Sequence, residues 1–459
     1  MSYRLCLSCL LAGQILLSLS FGQELTRRAF LGIRLSTIED SLRLDNQIPS
    51  KGGILVQQVF GQSSASAAGL EAGDMIWKLG GEEIEGPAQF LSILRGYKTG
   101  DQVNIQFSRQ GKKKNQKLTL LPFPPETYEQ ATVKYGMVDG PLGPLRTILT
   151  LPKNAGTQPP AVVYLIQGID CSSIDIPFNP QSGFAQVIRA LSAAGYASFR
   201  VEKSGVGDSQ GKACRECDFH EDREGFLRGL SYVKRLADID SEKVYLFGLS
   251  MGGVWGPLLA KEESIAGLAV FGTISRPWME YMLENSRRQA YLGGEDPGIV
   301  EQQLKQDAKI YHHWLSEGKT PAQIIEEFPE FEARLKMWST RPMEVPLKHM
   351  HADRVYSFQS QLQEINLSQT WQGLDTDVLV MWGKGDYVSN REDHQLIAEI
   401  VNNQHPGKAT YVEVESDHFF NTATSEEEAY RNLRQGNPGP KNPAIFEQLI
   451  QWLEKVEGS

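Results

Sequence analysis

Apolar runs alternate with amphipathic stretches through the last two thirds of the chain. Short apolar runs between turn-forming residues predict buried strands. These strands cover residues 161–166, 196–201, 243–247, 268–273, 378–382 and 409–414. Apolar residues at helical spacing predict helices over residues 184–194, 220–236 and 444–456. Strands that alternate with helices in this way are typical of a mostly parallel sheet.

The segment between the fourth and fifth of these strands, about residues 276–372, interrupts the alternation. It is rich in aromatic and charged residues, and dipeptides such as Thr320-Pro321 are typical helix starts. A connection of this length without secondary structure is uncommon in a compact domain. The sequence therefore predicts a helical insertion here.

Residues 28–121 have a different pattern, with short strands and little helix. Strands are predicted at residues 53–59 and 75–79, a helix at residues 88–95, and two further strands on either side of Gln110-Gly111. Residues 67–74 read AAGLEAGD. With this segment as its most specific motif, the unit resembles the PDZ domains attached to bacterial envelope proteases.

The PDZ resemblance implies a small α+β domain with a groove between a strand and a helix. A peptide C-terminus enters such a groove as an added strand, and backbone N–H groups bind its carboxylate. By position, the carboxylate loop would be Phe30, Leu31, Gly32 and Ile33. The alternative is that the unit packs against the rest of the chain and binds no peptide. Prolines at positions 122, 124 and 125 indicate a linker over residues 122–135, before a second domain at 136–459.

The first 22 residues have the pattern of a signal peptide. Arg4 precedes a mostly apolar run at residues 5–19, and Ser20 and Gly22 form a small-x-small cleavage site. Polar and small residues interrupt the run, which favours a signal peptide over a membrane-spanning helix. We therefore expect an exported protein, periplasmic or secreted, without an integral membrane span.

Charge argues against a nucleic-acid partner. The formal net charge is -10, and the only dense basic run is residues 112–114, where a solvated hairpin turn is the simpler interpretation. No glycine-rich dinucleotide motif or phosphate loop is present, so the sequence predicts no cofactor.

Residues 244–253 read VYLFGLSMGG, an apolar strand that runs into Gly-x-Ser-x-Gly and then a helix. Glycines two residues before and after Ser250 let neighbouring backbone approach without a Cβ clash. The sharp turn exposes the serine hydroxyl at a helix N-terminus. Ser250 is therefore the candidate nucleophile.

A serine hydroxyl needs a base and an orienting carboxylate. Both are expected after the serine in the sequence, first the acid and then the histidine. Asp386 follows the strand at 378–382, at the end of the sheet where active sites lie. His418 follows the strand at 409–414, whereas His394 falls in a helical stretch and His405 in a turn. Asp386 and His418 are therefore the candidate acid and base.

Residues 161–459 resemble the α/β-hydrolase superfamily, near its serine aminopeptidase-like and acyl-esterase branches. The resemblance implies a mostly parallel sheet with a helical cap and a Ser250–His418–Asp386 triad. It also implies an oxyanion hole built from the backbone N–H groups of Met251 and Ile169, although Gln167 stands where many members have histidine. Residues 202–209, EKSGVGDS, take the place of another family motif and are expected to shape a loop near the site.

Three cysteines lie outside the predicted signal peptide: Cys171, Cys214 and Cys217. A Cys171–Cys214 disulfide is favoured, while Cys171–Cys217, Cys214–Cys217 and free thiols stay open. A zinc site that adds His220 to the cysteines is a further alternative, which an oxidising compartment disfavours.

Together these observations predict an exported serine hydrolase that cleaves a small ester or acyl substrate through an acyl-enzyme. The first alternative is a serine peptidase that acts on the ends of short peptides. The second, from a different class, is a non-catalytic scaffold that binds peptides.

Overall fold

The computed structural model describes residues 25–45, 48, 52–154, 156, 158–341 and 345–458. The predicted signal peptide, residues 1–22, lies outside this range. Among the described residues we find no helix with the length and apolar character needed to traverse a lipid bilayer.

The N-terminal unit is built on a six-stranded antiparallel sheet in the order β2-β3-β4-β6-β7, with β5 paired to β4. Its elements are β1 (Ala29–Phe30), β2 (Ile33–Thr37), α1 (Asp40–Asp45), β3 (Ile54–Val59), α2 (Ser64–Ala67), β4 (Met75–Leu79), β5 (Glu82–Glu83), α3 (Pro87–Arg95), β6 (Gln102–Arg109), β7 (Lys112–Thr119) and β8 (Leu121–Pro122). The basic run at residues 112–114 begins strand β7, whereas the preceding turn is made by Gln110 and Gly111, both with positive φ.

The AAGLEAGD segment forms a turn that a buried aspartate closes. Asp74 is fully buried, and it accepts hydrogen bonds from the Arg109 guanidinium at 2.7 Å and from the Glu71 backbone N–H at 2.9 Å. Gly69 and Gly73 have φ of 68° and 93°, a region that L side chains adopt only with strain. The spacing of the motif is thus explained by two left-handed positions and one satisfied carboxylate.

A hairpin joins the two parts of the chain. Strand β9 (Ala131–Gly140) pairs in antiparallel register with β10 (Gly143–Pro152), and β10 pairs with a strand of the main sheet. The predicted linker, residues 122–135, thus ends inside strand β9. It is also anchored at Glu126, which is buried and accepts two hydrogen bonds from Arg200 at 2.9 Å each.

The main sheet has eight strands in the order β18-β17-β14-β13-β11-β12-β10-β9, parallel except for the hairpin at one edge. Its central strands are β11 (Val162–Ile166), β12 (Ala197–Val201), β13 (Val244–Leu249), β14 (Gly267–Phe271), β17 (Asp377–Gly383) and β18 (Ala409–Val414). The flanking helices are α4 (Gly183–Ala193), α5 (Phe219–Val233), α6 (Gly252–Ala260), α13 (Arg391–Gln404), α14 (Glu426–Arg434) and α15 (Ala444–Gly458). Both faces of the sheet are covered by apolar side chains, as expected for parallel strands.

Helices fill the segment between β14 and β17. They are α7 (Trp278–Leu292), α8 (Pro297–Tyr311), α9 (Pro321–Glu327), α10 (Glu332–Trp338), α11 (Tyr356–Gln363) and α12 (Leu367–Gln372). Two short strands, β15 (His349–Met350) and β16 (Arg354–Val355), pair with each other. We call this segment the cap.

Polar and aromatic contacts join the N-terminal unit to the main sheet. Arg27 forms ion pairs at 2.6 Å with both Asp175 and Asp208, and Arg146 donates to the carbonyl of Leu25. Phe178, from the loop after β11, stacks on Phe30 with ring centroids 5.0 Å apart. The two units therefore share one interface close to the predicted carboxylate loop.

Candidate active site

Strand β13 enters helix α6 through a sharp turn centred on Ser250. Ser250 has a φ of 53°, and its backbone N–H donates to the Phe271 carbonyl at 2.9 Å. A Cβ at Gly248 would lie 2.4 Å from the carbonyl oxygen of Gly252, and one at Gly252 would lie 2.1 Å from that of Ile166. No larger residue fits either position, which explains the glycine spacing around the serine.

Asp386 lies just after β17 in a fully buried position. Its Oδ1 accepts from the backbone N–H groups of Val388 and Ser389, each at 2.8 Å, and its Oδ2 accepts from the Ser389 hydroxyl at 2.6 Å. Burial on its own would raise the pKa of Asp386. The charge of His418 and the hydrogen bonds from His418 and Ser389 outweigh burial and lower the pKa to about 2. Asp386 is therefore held as a carboxylate.

His418 follows β18 and faces Asp386. The distance from His418 Nδ1 to Asp386 Oδ2 is 2.9 Å. Burial acts to lower the pKa of His418, but the Asp386 carboxylate and its hydrogen bond raise it above the ordinary value. Because Nδ1 carries the proton shared with Asp386, Nε2 of the neutral ring is free to accept one.

The backbone at residues 271–272 connects the serine to the other two side chains. Phe271 accepts the Ser250 N–H, and a Cβ at Gly272 would lie 2.9 Å from His418 Nδ1 and 3.1 Å from Asp386 Oδ2. The three residues that the sequence predicts as a triad thus converge around the end of β14.

His394 has both ring nitrogens engaged elsewhere. Its Nδ1 lies 2.7 Å from the Asn390 carbonyl and its Nε2 accepts the Thr273 backbone N–H at 3.0 Å. Burial lowers the pKa of this ring. His405 is partly exposed, with Asp375 at 3.5 Å. Neither histidine is placed to serve Ser250.

Two backbone N–H groups near Ser250 were predicted to stabilise an oxyanion. Met251 lies at the N-terminus of α6, and Ile169 follows Gly168 in the loop after β11. A Cβ at Gly168 would lie 3.3 Å from Ser250 Cβ, so this loop packs directly on the serine. Within the described chain neither the Met251 nor the Ile169 N–H donates to a protein acceptor.

Sequence reasoning missed two residues that support Asp386. Ser389 lies three residues after the aspartate, a spacing at which side-chain oxygens commonly bind the following backbone, so this signal was available. Arg288 comes from cap helix α7 and donates to the carbonyls of Asp386 and Ser389 at 3.0 Å each. No local pattern could indicate this contact, because about one hundred residues separate the partners.

Cys171 and Cys214 form a disulfide with an S–S distance of 1.99 Å, the pair that the sequence favoured. It removes two ligands from the alternative zinc site. Cys217 is a buried free thiol, and burial raises its pKa to about 12.

In the N-terminal unit, the predicted carboxylate loop lies between β1 and β2. The carbonyls of Phe30, Leu31 and Gly32 accept from Ser64 Oγ, Ala65 N and Phe60 N respectively. Because a trans peptide points its C=O and N–H in opposite directions, the N–H groups of residues 31–33 face away from these partners. Strand β2 is at the edge of its sheet, beside α3.

A mostly parallel sheet, a serine at a strand-to-helix turn and a helical cap define an α/β-hydrolase, as the sequence predicted. The chain belongs to the serine aminopeptidase S33 family, because the model of that family matches residues 181–413, slightly more than half of the chain. The PDZ domain model matches residues 29–120. Both resemblances are confirmed: the chain carries an α/β-hydrolase domain and a PDZ domain.

Curated relatives match about one hundred residues of the chain. A serine protease Do-like HtrA of Lactobacillus helveticus is 38% identical over 98 residues, which cover 20% of this chain and 24% of that protein. A probable periplasmic serine endoprotease DegP-like of Pseudomonas fluorescens is 30% identical over 99 residues, covering 22% of this chain and 21% of that protein. The chain thus spans less than a quarter of the length of these relatives.

Among solved structures, Est1E from Butyrivibrio proteoclasticus aligns with a TM-score of 0.43 and 14% identity. The alignment covers 71% of this chain and 99% of Est1E.

Proposed function

We propose that the protein is an exported hydrolase that cleaves a carboxylic ester or acyl bond by a Ser250–His418–Asp386 triad. The observation that carries the proposal is the 2.9 Å contact between His418 Nδ1 and Asp386 Oδ2, beside a serine in the strained turn after β13. Asp386 fixes the ring tautomer that leaves Nε2 as a base.

In the first half of the reaction Ser250 Oγ attacks the substrate carbonyl carbon while His418 Nε2 takes the hydroxyl proton. The carbonyl oxygen becomes an oxyanion, for which the N–H groups of Met251 and Ile169 are the donors. The C–O bond to the leaving group then breaks, and the alcohol departs with the proton from His418. An acyl ester on Ser250 remains.

In the second half water attacks the acyl carbon and gives its proton to His418. The tetrahedral adduct collapses, Ser250 recovers its proton from His418, and the carboxylic acid leaves. Burial of Asp386 and His418 keeps the ion pair of the charged state strong throughout.

Reaction with a fluorophosphonate probe tests the nucleophile. The wild-type protein should be labelled at Ser250, as identified by mass spectrometry of the peptide, and Ser250→Ala should not be labelled. Ser389→Ala is a matched control, because it removes a nearby hydroxyl that supports Asp386 without removing the nucleophile. Equal labelling of wild-type protein and Ser250→Ala would refute the proposal.

A second candidate is hydrolysis of peptide ends, favoured by the description of the matched family as a serine aminopeptidase. The edge position of β2 supports delivery of a peptide C-terminus by the PDZ domain. A panel of p-nitrophenyl esters compared with aminoacyl and prolyl p-nitroanilides would separate the two. Turnover of the anilides with kcat/KM above that of the esters would establish the peptidase.

Export is supported by the pattern of residues 1–22 and by the disulfide, since disulfides persist in oxidising compartments. Fractionation of cells that produce the full chain, with N-terminal sequencing, tests it. Recovery of the intact chain with residue 1 in the cytoplasm would contradict it.

A further inference from the structure

Two buried cations hold the loop that packs on Ser250. We call residues 167–171 the β11 loop. Lys203 Nζ donates to the carbonyls of Gly168 at 2.6 Å and Asp170 at 2.8 Å, and Arg354 Nη1 donates to the carbonyl of Ile169 at 3.2 Å. Three consecutive carbonyls of the β11 loop therefore accept hydrogen bonds from charged donors.

These cations come from distant parts of the chain and share one counterion. Lys203 follows β12 and is 3% exposed, while Arg354 lies in β16 of the cap and is fully buried. Asp222 of α5 has its Oδ2 2.7 Å from Arg354 Nη2 and 3.8 Å from Lys203 Nζ. The two cations outnumber this buried carboxylate, and carbonyl oxygens of the β11 loop are among the other acceptors of both side chains. Desolvation of buried charges can exceed their mutual attraction, so a stabilising role does not by itself give the reason for this arrangement.

Peptide geometry supplies the reason. The described chain contains no cis peptide, so the C=O of Gly168 and the N–H of Ile169 lie antiparallel in one plane. With the carbonyl fixed on Lys203, the N–H of Ile169 must point away from Lys203, and Gly168 itself packs against Ser250. A charged donor on a carbonyl also polarises the amide and makes its N–H a stronger donor.

We propose that Lys203 and Arg354 are positioning residues for the oxyanion hole: they fix and polarise the peptide that presents the Ile169 N–H to the reacting oxygen. This inference rests on the proposed function of Ser250. Neither side chain takes part in bond breaking. Their effect reaches the substrate through the backbone of the β11 loop.

Arg354 also makes the cap part of this arrangement. Its Nη1 lies 3.3 Å from Cys214 Sγ and 3.6 Å from Cys171 Sγ, and its Nη2 donates to the Cys217 carbonyl at 2.9 Å. Cys171 ends the β11 loop. The cap, the disulfide and the oxyanion donor thus meet at one guanidinium, so a shift of the cap around Arg354 changes the position of Ile169.

The test separates an effect on transition-state stabilisation from an effect on substrate binding. In Lys203→Met, kcat for the best p-nitrophenyl ester should fall about 10- to 100-fold with KM nearly unchanged. Complete loss of an oxyanion donor lowers kcat about 10²–10³-fold, and Lys203→Met weakens the donor without removing it. The inhibition constant of phenylboronic acid, which forms a tetrahedral adduct on a serine, should rise by a similar factor. Arg354→Met should behave alike, and Arg354→Lys should recover part of the loss by retaining a donor for Ile169.

Arg334→Met is the matched control. Arg334 is a cap arginine with an ion pair to Asp307 at 2.7 Å, and it contacts no residue of the β11 loop. Any of three results would overturn the proposal. The loss of kcat in Lys203→Met could be no larger than in Arg334→Met, KM alone could change, or the affinity for the boronate could stay unchanged. If Lys203→Met does not fold, Lys203→Gln removes the charge, keeps an amide with two N–H donors and is measured in the same assays. Failure of the triad itself would appear separately, as fluorophosphonate labelling that survives Ser250→Ala.

Discussion

The carboxylate loop of the PDZ domain and the β11 loop of the hydrolase use the same geometry with different support. In each, successive carbonyls accept hydrogen bonds, so that the N–H group of each following residue points away from the donor on that carbonyl. The carbonyls of residues 30–32 accept hydrogen bonds from a hydroxyl and two backbone N–H groups of the same unit, and all three donors are neutral. Those of residues 168–170 are held by Lys203 and Arg354.

The difference follows from the anion that each loop is proposed to meet. A peptide carboxylate arrives already charged, and neutral backbone donors are sufficient for reversible binding. An oxyanion exists only in the transition state, where donors must be fixed in advance and strong. The donors to the PDZ loop all belong to the N-terminal unit, while the donors to the β11 loop include a cap arginine that also contacts the disulfide.

The largest expected effect is a loss of hydrolysis that leaves peptide binding by the PDZ domain intact. Ser250→Ala should reduce ester hydrolysis by at least about 10⁴-fold, because the covalent route is lost. Binding of a fluorescent peptide with a free C-terminus, measured by anisotropy, should be unchanged. A parallel loss of peptide binding would show that the two sites are not independent.

Removal of the disulfide should affect one loop more than the other. The double variant Cys171→Ser and Cys214→Ser is expected to lower the free energy of unfolding by about 2–4 kcal/mol, measured by denaturant titration. Its kcat should fall as the β11 loop loosens, with peptide affinity retained. The free-cysteine variant Cys217→Ser is the control, and equal effects in the two variants would argue against a role for the disulfide.

The pH dependence of hydrolysis should also differ from that of peptide binding. His418 must be neutral to act as a base, and its pKa is raised by Asp386, so kcat/KM should fall about tenfold per pH unit below a midpoint above about 6.5. Peptide binding by backbone N–H groups should be flat over this range. A midpoint clearly below that of an ordinary histidine would contradict the assigned role of His418.

The smallest effect is expected from a substitution in the carboxylate loop of the PDZ domain. A Cβ at Gly32, whose φ is 81°, would lie 2.1 Å from Ser63 Cβ. Gly32→Ala should therefore distort the carboxylate loop and weaken peptide binding about tenfold, with hydrolysis of a small ester unaltered. Gly61→Ala, where an added Cβ meets open space, is the control. Unchanged peptide affinity in Gly32→Ala would place the carboxylate elsewhere.

The sequence indicated the central strands and the convergence of Ser250, Asp386 and His418, because apolar runs and chain order are local signals. It did not indicate strand β9, since the prolines before it are typical of a linker and the burial of Glu126 depends on Arg200, far along the chain. Lys203 lies in the EKSGVGDS segment, which the sequence assigned only to loop shape. Arg288 and Arg354 were not predicted, because their carbonyl partners lie 98 or more residues away in sequence.

The ion pairs of Arg27 set a limit on exchanging modules by recombination. Asp208 also pairs with Arg146 of the hydrolase, but Arg27, which pairs with both of the buried carboxylates of Asp175 and Asp208, precedes the PDZ domain. A hydrolase joined to a foreign PDZ domain, or trimmed to begin after residue 121, would keep these carboxylates without that partner. Domain exchange in this architecture should therefore succeed only when residues 25–28 travel with the hydrolase.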